Sequence, residues 1–365
     1  MKYLLIDGNN LAVRAAFSQN DLINSRGIHV GCHYGTVNSL IYLKEQFPDH
    51  IFLLAWDGRS EHRLVMSEEG VERGITPETY KANRKKGDIP EPLAHFHEQS
   101  DFLKRGINTL GIPQIWMSDH EADDVVASYC EMLCDSEEVV LVTSDKDYLQ
   151  LLRDNIWIWD GMKSEKTTID SFRDTWGISP EQWIDVGALA GDDSDNIFGP
   201  PGWGEKTAVD AIREFKTWQG VIEYYSKRYA KFRKEYPDFR DLNSDWEGEF
   251  KKTIAEALTP KGSETPKAER TRSCYVFPNA YYKMPWTGVA LAFQKGDIKI
   301  PKRHLTCLMY QERVELAYRL KAMKRDIEDL PEIPVLGFDK DRFNEYIDYY
   351  EMPSLHEKAG IFMKM

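Results

Sequence analysis

Three features are scarce in this 365-residue chain, and each scarcity excludes a class of protein. Cysteine is rare. The five present are Cys32, Cys130, Cys134, Cys274 and Cys307. Cys130 and Cys134 lie one helical turn apart, but no C-x-x-C pair of the zinc-site kind occurs, and nothing marks a secreted disulfide framework. All five are expected to be packing residues. Long apolar runs are also missing. None approaches the roughly 20 residues that a membrane-spanning helix needs, and the first residues lack a basic-then-apolar signal. A cytoplasmic location is expected. The third absence is an excess of positive charge. The chain has 47 Lys and Arg against 60 Asp and Glu, a net charge of -13. Taken alone, that balance argues against a nucleic-acid binder, because phosphate attracts basic surfaces. The sign misleads if many acids are gathered around a metal, and the basic residues do cluster.

What is present points to a folded protein. Hydrophobic residues make up 42% of the chain, ordinary for a globular domain, and the length suits two or three lobes. The informative stretch runs from Ser118 to Asp147. Ala122, Val125, Val126, Tyr129, Met132 and Leu133 have helical spacing with one buried face. Ser118 and Glu121 have the S-x-x-E spacing of a capping box. Glu121, Asp123 and Asp124 therefore fall in the first turn, where the helix dipole favours negative charge. The run Val139 to Val142 reads as a strand buried on both faces. Asp145 and Asp147 follow at its carboxyl end, the end where open α/β sheets bind ligands. Each half has a plain reading, as capping or as loop chemistry. Together they place carboxylates that repel one another unless a cation neutralises them or some stay protonated. Oxygen-only clusters suit Mg²⁺ or Mn²⁺.

The same plan occurs twice more. Tyr3 to Ile6 read as a buried strand ending in Asp7, then Gly8-Asn9-Asn10 and a helix carrying Arg14. A helix near Tyr34 to Phe47 precedes the strand Ile51 to Trp56, which ends in Asp57-Gly58. Asp7 alone reads as a turn residue. Three strands of one parallel sheet, each ending in aspartate, bring the carboxylates to one edge.

Residues 59–91 differ. Apolar periodicity fades, and Arg63, Lys81, Arg84, Lys85 and Lys86 make the stretch locally basic. It reads as a solvated, partly mobile loop, and also as what a phosphodiester substrate needs beside a metal-binding edge. Tyr148 to Leu152 read as a short helix, Ile156 to Trp159 as a strand and 180–190 as a helix. The loop GDDSDN at 191–196 then places Asp192 and Asp195 three apart. In GPPGWGEKTA, Gly202 and Gly204 flank Trp203, and Lys206-Thr207 open a helix. This is no Walker loop, because the G-x-x-x-x-G-K-[ST] spacing is absent. It reads as a packing helix–turn–helix or as backbone contact with a nucleic-acid strand through a helix N-terminus. Residues 226–285 are less regular. The part Cys307 to Met323 reads as a plain surface helix, with Lys321, Lys324 and Arg325 at its end as the dipole favours. Residues 338–365 carry no chemistry legible at this level.

These segments resemble the 5′-nuclease (flap endonuclease) family, especially the stand-alone phage enzymes and the 5′-nuclease domain of bacterial DNA polymerase I. The matching segments are LLIDGNN with Arg14, AWDG at 55–58, YKANRKK at 80–86, EADD at 121–124, SDKD at 144–147, GDDSDN at 191–196 and GPPGWGEKTA at 199–208. They occur in the family's order over roughly residues 3–225, and the ordered set is specific. The resemblance implies an α/β, PIN-like fold: a central mostly parallel sheet flanked by helices, with a helical arch and a helix–three-turn–helix element that holds duplex DNA. It implies two Mg²⁺ or Mn²⁺ ions. Asp7, Asp57, Glu121, Asp123 and Asp124 would serve the first, and Asp145, Asp147, Asp192 and Asp195 the second, some through water. Lys81 and Arg84 match the arch residues that meet the scissile phosphate, and Asp145 joins them as a catalytic candidate. Arg14, Arg63, Lys85, Gly202, Gly204, Lys206 and Thr207 are the further DNA-binding candidates. The turn would also hold K⁺ through carbonyls.

The expected organisation is a catalytic domain at 1–180 with its arch at about 59–91, a helix–three-turn–helix region at 181–225, and a divergent helical region at 226–365 with an inserted lobe at 226–298. The segment between Arg63 and Tyr80 is longer than in many family members. The expected function is a structure-specific 5′-3′ exonuclease and flap endonuclease acting on DNA, and on RNA primers, in a bacterial or phage-infected cell. Its partners would be DNA with 5′ flaps, nicks or ends, RNA–DNA hybrid, and replication proteins, with a monomer as the default state. The alternatives are a PIN-like ribonuclease and a non-catalytic fork-binding accessory.

Overall fold

The β-branched and aliphatic runs form the strands they predict. They are β1 (Lys2–Asp7), β2 (Ile51–Trp56), β4 (Glu138–Val142) and β5 (Ile156–Asp160), to which the short β3 (Gln114–Trp116) and β6 (Glu165–Thr167) are added. They make one sheet in the order β3-β2-β1-β4-β5-β6. The first five run parallel, and β6 pairs antiparallel with β5. In the parallel register Asp7 lies beside Ala55, and Ile6 beside Val142. The ends of β2, β1 and β4 are thus neighbours.

The computed structural model describes residues 1–85, 88–133, 136–161, 163–235, 306–308 and 310–364. It comprises two units, each assembled from separate stretches of chain. The first is Met1–Glu61, Gly87–Thr175 and Met323–Met365, and the second is His62–Lys86 and Trp176–Ala322. The lobe expected at 226–298 lies almost wholly outside the described residues.

The first unit contains the sheet with α1 (Gly8–Ser18), α2 (Gly31–Gln46), α4 (Glu91–Thr109), α5 (Ala122–Met132) and nearly all of α6 (Ile169–Trp176). The C-terminal α11 (Lys340–Tyr350) and α12 (Leu355–Lys358) belong to it as well. Their Phe343, Ile347 and Leu355 are fully buried in the same core as Leu4, Leu40, Leu54 and Leu103. The chain end that carried no legible chemistry is therefore structural. No described helix is long and apolar enough to cross a membrane.

The second unit contains α3 (Glu61–Glu72) from its second residue on, α7 (Trp183–Ala190), α8 (Glu205–Phe215), α9 (Trp218–Glu235) and α10 (Gln311–Lys321). Two expectations fail here. The stretch 61–72, which the bare residue pattern reads as a loop and the resemblance as part of a helical arch, is a helix. It is polar by composition, but it buries Arg63, Ser67 and Gly70, and a Cβ on Gly70 would meet Leu316 at 2.5 Å. A helix that packs through small and polar residues leaves no apolar stripe to read. Nor is α10 a plain surface helix. It buries Arg313, Val314, Leu316, Ala317, Leu320 and Lys321, and Arg313 Nε donates to the Ile75 carbonyl at 3.0 Å.

Candidate metal centre and nucleic-acid contacts

At the carboxyl edge of the first unit, Asp7 ends β1 and caps α1. Its carboxylate accepts the Asn10 N–H at 2.9 Å and the Tyr148 hydroxyl at 3.4 Å. Asp57 follows β2 and accepts the Ala122 N–H at 3.0 Å, so it caps α5 from a neighbouring strand. Tertiary structure thereby replaces the predicted capping box. Glu121, not Ser118, is the N-cap residue, and its side chain makes no cap bond. Gly58 is required at the strand end because a Cβ there would meet the Met117 carbonyl at 1.8 Å. Asp145 caps the 3₁₀ turn Lys146–Leu151 through the Asp147 N–H at 2.8 Å.

These groups share a field. Burial pushes the Asp7 carboxyl well above the usual carboxylate range, and the charges of Asp57, Asp145 and Asp123 push it further. The Tyr148 phenol is raised by burial and by the same acids. A set of carboxylates that drives its desolvated member toward protonation is a place where a cation is favoured. The donors are all oxygen, which fits Mg²⁺ or Mn²⁺.

The other candidates stand differently. Glu121 is buried. Asp124 is fully buried, and its Oδ1 accepts the Lys324 N–H at 2.8 Å. Arg14 reaches back to Asn10 Oδ1 at 3.3 Å and to Asp160 at 3.6 Å. Tyr148 was not foreseen, since one tyrosine in a short helix carries no sequence signal.

In the second unit the GDDSDN loop is bound by cations of the same unit. Lys321 Nζ, only 7% exposed, donates to Asp192 Oδ2 at 2.6 Å. Burial alone would raise Asp192, but the Lys321 charge and hydrogen bonds from Lys321 and Ser194 outweigh it and hold the carboxyl down at about 2. Arg84 Nη2 donates to Asp195 Oδ1 at 2.6 Å, and Lys81 Nζ lies 3.9 Å from Asp195 Oδ2. The Lys81 N–H donates to the Asp195 carbonyl at 2.9 Å. Asn83 Nδ2 donates to the Asp193 carbonyl at 2.8 Å. The basic 80–84 stretch is thus fastened along the acidic loop. Arg63 is 1% exposed, because α3 turns it inward, so no DNA-facing surface is offered by it. The Lys85 side chain lies outside the described residues.

Between α7 and α8, Gly202 has φ +84, a left-handed backbone that favours glycine. Gly204 caps α8 in extended conformation, and Gly204 and Lys206 are exposed with Thr207 half-buried. The α8 N-terminus therefore presents N–H groups beside a lysine, an arrangement suited to phosphate.

Two family models match in sequence. Residues 2–177 match the N-terminal resolvase-like domain of the 5′-3′ exonucleases, and residues 178–243 match their C-terminal SAM fold. A 5′-3′ exonuclease of Bacillus subtilis is 33% identical over 235 residues, 62% of this chain and 74% of that protein. This chain belongs to the 5′-3′ exonuclease family. DNA polymerase I of the same organism is 32% identical over 248 residues, 66% of this chain. The match covers only 26% of that polymerase. Among solved structures, the catalytic core of Rad2 in complex with DNA substrate aligns with TM-score 0.53 at 15% identity, covering 100% of this chain and 92% of that one. T5 5′-exonuclease with bound zinc aligns with TM-score 0.49 at 19% identity, covering 88% of this chain and 100% of that one. The Rad2 likeness agrees with the α/β fold. As a member of this family the protein is a nuclease, a hydrolase.

Proposed function

We propose that the protein is a two-metal, structure-specific 5′-nuclease that hydrolyses phosphodiester bonds at 5′ ends, nicks and flaps of DNA, and in RNA primers paired to DNA. The observation that carries the reading is the juxtaposition of Asp57, Asp7 and Asp145 at the ends of adjacent strands, with Asp123 at the N-terminus of α5. When bound, divalent ions lower the pKa of water and offset charge on the attacking and leaving oxygens.

The chain's own residues supply the rest. Asp7, Asp57, Glu121, Asp123 and Asp124 are the first-ion set. The Asn10 N–H and the Tyr148 hydroxyl orient Asp7 within it. The second-ion assignment of Asp145, Asp147, Asp192 and Asp195 rests on the family likeness. Lys81 and Arg84 exchange Asp195 for a substrate phosphate and stabilise its non-bridging oxygens. The α8 N-terminus with Gly202, Gly204, Lys206 and Thr207 holds duplex backbone, with K⁺ held by carbonyls of the same turn. Arg14 adds a cation beside the sheet edge. Roles divide along the chain as catalytic at 1–180, duplex-holding at 181–225 and divergent beyond, with residues 323–365 returning to the first unit. The protein works as a cytoplasmic monomer coupled to replication proteins.

The test compares a 5′-labelled flap duplex, an RNA-primed duplex and single-stranded RNA, each with Mg²⁺ or Ca²⁺. Cleavage near the flap junction with Mg²⁺ is expected, and the product ladder gives the balance of exonuclease to endonuclease. Cleavage of single-stranded RNA alone would replace this reading with a PIN-like ribonuclease. Tight binding without cleavage under every metal would leave a fork-binding accessory.

A further inference from the structure

Away from the acids of the proposed nuclease centre, two histidines and a glutamate converge. His29, Glu91 and His95 each offer a ligand atom within 4.8 Å of the others. All three belong to the first unit, and none is among the carboxylate candidates. Glu91 and His95 are four apart in the first turns of α4, so they share one helix face. His29 arrives from the preceding strap, where its backbone forms an antiparallel bridge with Ile23. The Val30 N–H closes that strap on the Leu22 carbonyl at 2.8 Å.

The His29 imidazole is oriented by its surroundings. His29 Nδ1 lies 3.0 Å from the Asn20 carbonyl. A carbonyl only accepts, so Nδ1 donates and Nε2 is the atom left to face a ligand. A backbone carbonyl fixing the tautomer in this way is the usual support for a metal-binding histidine. The His95 ring stacks on His29 with centroids 3.7 Å apart and planes 22° from parallel. Stacked rings aim their in-plane lone pairs side by side, so a shared ion requires the His95 ring to turn about its Cβ–Cγ bond. His95 Nδ1 is buried with no hydrogen-bond partner, and buried polar atoms are seldom left so. Glu91 is exposed, which leaves a side open to water.

We propose that His29, Glu91 and His95 form a second, separate metal site for a zinc-type divalent ion. Two imidazoles and one carboxylate with an open position suit Zn²⁺, Ni²⁺ or Co²⁺ and do not suit Mg²⁺. Such an ion clips the 20–30 strap to the start of α4, the helix that follows the basic segment in sequence. The site does not depend on the nuclease reading.

The test uses the full chain, stripped with chelator and then held in excess Mg²⁺ to fill oxygen sites. Co²⁺ is titrated while its visible d–d absorption is recorded. The expected result is a nitrogen-type band saturating at one ion per chain. His29→Ala and His95→Ala lose the band, Glu91→Gln weakens binding about tenfold or more, and Asp7→Asn keeps it. Zn²⁺ displaces the band and raises the melting temperature of the parent chain but not of His95→Ala. Should His95→Ala fail to fold, Glu91→Gln on the exposed side decides. Absence of the band, its survival undiminished in Glu91→Gln, or its loss in Asp7→Asn would overturn the assignment.

Discussion

Asp7 holds its proton more tightly in the folded protein than in the unfolded chain, because of burial and three neighbouring acids. The sign follows from linkage: the metal-free fold gains stability from Asp7 at low pH and loses it as pH rises through the raised pKa. Metal binding runs the other way and tightens as Asp7 ionises. Asp7→Asn is expected to raise the metal-free stability at neutral pH, because it removes the cost of ionising a buried carboxyl beside other acids. Mg²⁺ should then stabilise the variant less than the parent. Urea unfolding with chelator and with Mg²⁺ measures both. Lys321 gives the opposite case. Its ammonium lies beside Asp192 with little solvent access. Lys321→Met should cost about 3 kcal/mol by stranding the carboxylate. The contribution from Asp192 is complete above its unfolded pKa and is lost as pH falls toward about 2. The penalty should therefore shrink in acid, which urea midpoints at neutral and low pH will show.

At the scale of elements, α7 contributes a buried acid with no proposed role in cleavage. Asp185 accepts the Trp218 N–H at 2.8 Å at the start of α9, and burial raises its carboxyl to about 6 despite that bond. Its favourable contribution is complete below the unfolded pKa and is lost as pH rises through about 6. Asp185→Asn keeps an acceptor for Trp218 and removes the loss, so at mildly alkaline pH the variant should be more stable by about 2–3 kcal/mol. In acid the two should converge, as denaturant midpoints at both pH values will report. The strands were legible because Leu4 to Ile6, Phe52 to Trp56 and Val139 to Val142 are apolar runs buried on both faces. The start of α5 was not, because Asp57, more than sixty positions away in sequence, supplies the cap acceptor. Helix α3 is illegible to periodicity, though implied by the resemblance, because it packs through Gly70 and a buried arginine. For α10 the periodicity was visible, but Lys321 at its end read as a dipole partner. Its pairing with Asp192 is a tertiary fact that spacing does not encode.

For the whole molecule, a net charge of -13 coexists with a basic segment and a lysine-bearing helix N-terminus. Phosphate contacts from Lys81, Arg84 and Lys206 should give DNA binding that weakens with salt. Lys206→Ala should lower the slope of log affinity against log salt by roughly one, read by fluorescence anisotropy on a flap duplex in Ca²⁺. The sheet-edge acids were legible in the sequence because three strands end in the same residue type. The engagement of Lys81 and Arg84 with Asp195 was not, since it joins segments more than a hundred residues apart.

The central claim is that the carboxylates at the sheet edge perform the cleavage. The direct measurement is single-turnover hydrolysis of a 5′-flap duplex in Mg²⁺ by the parent chain and by Asp145→Asn, with binding followed separately in Ca²⁺. The rate is expected to fall at least about a hundredfold in Asp145→Asn, with flap binding retained. Equal cleavage by the variant would contradict it.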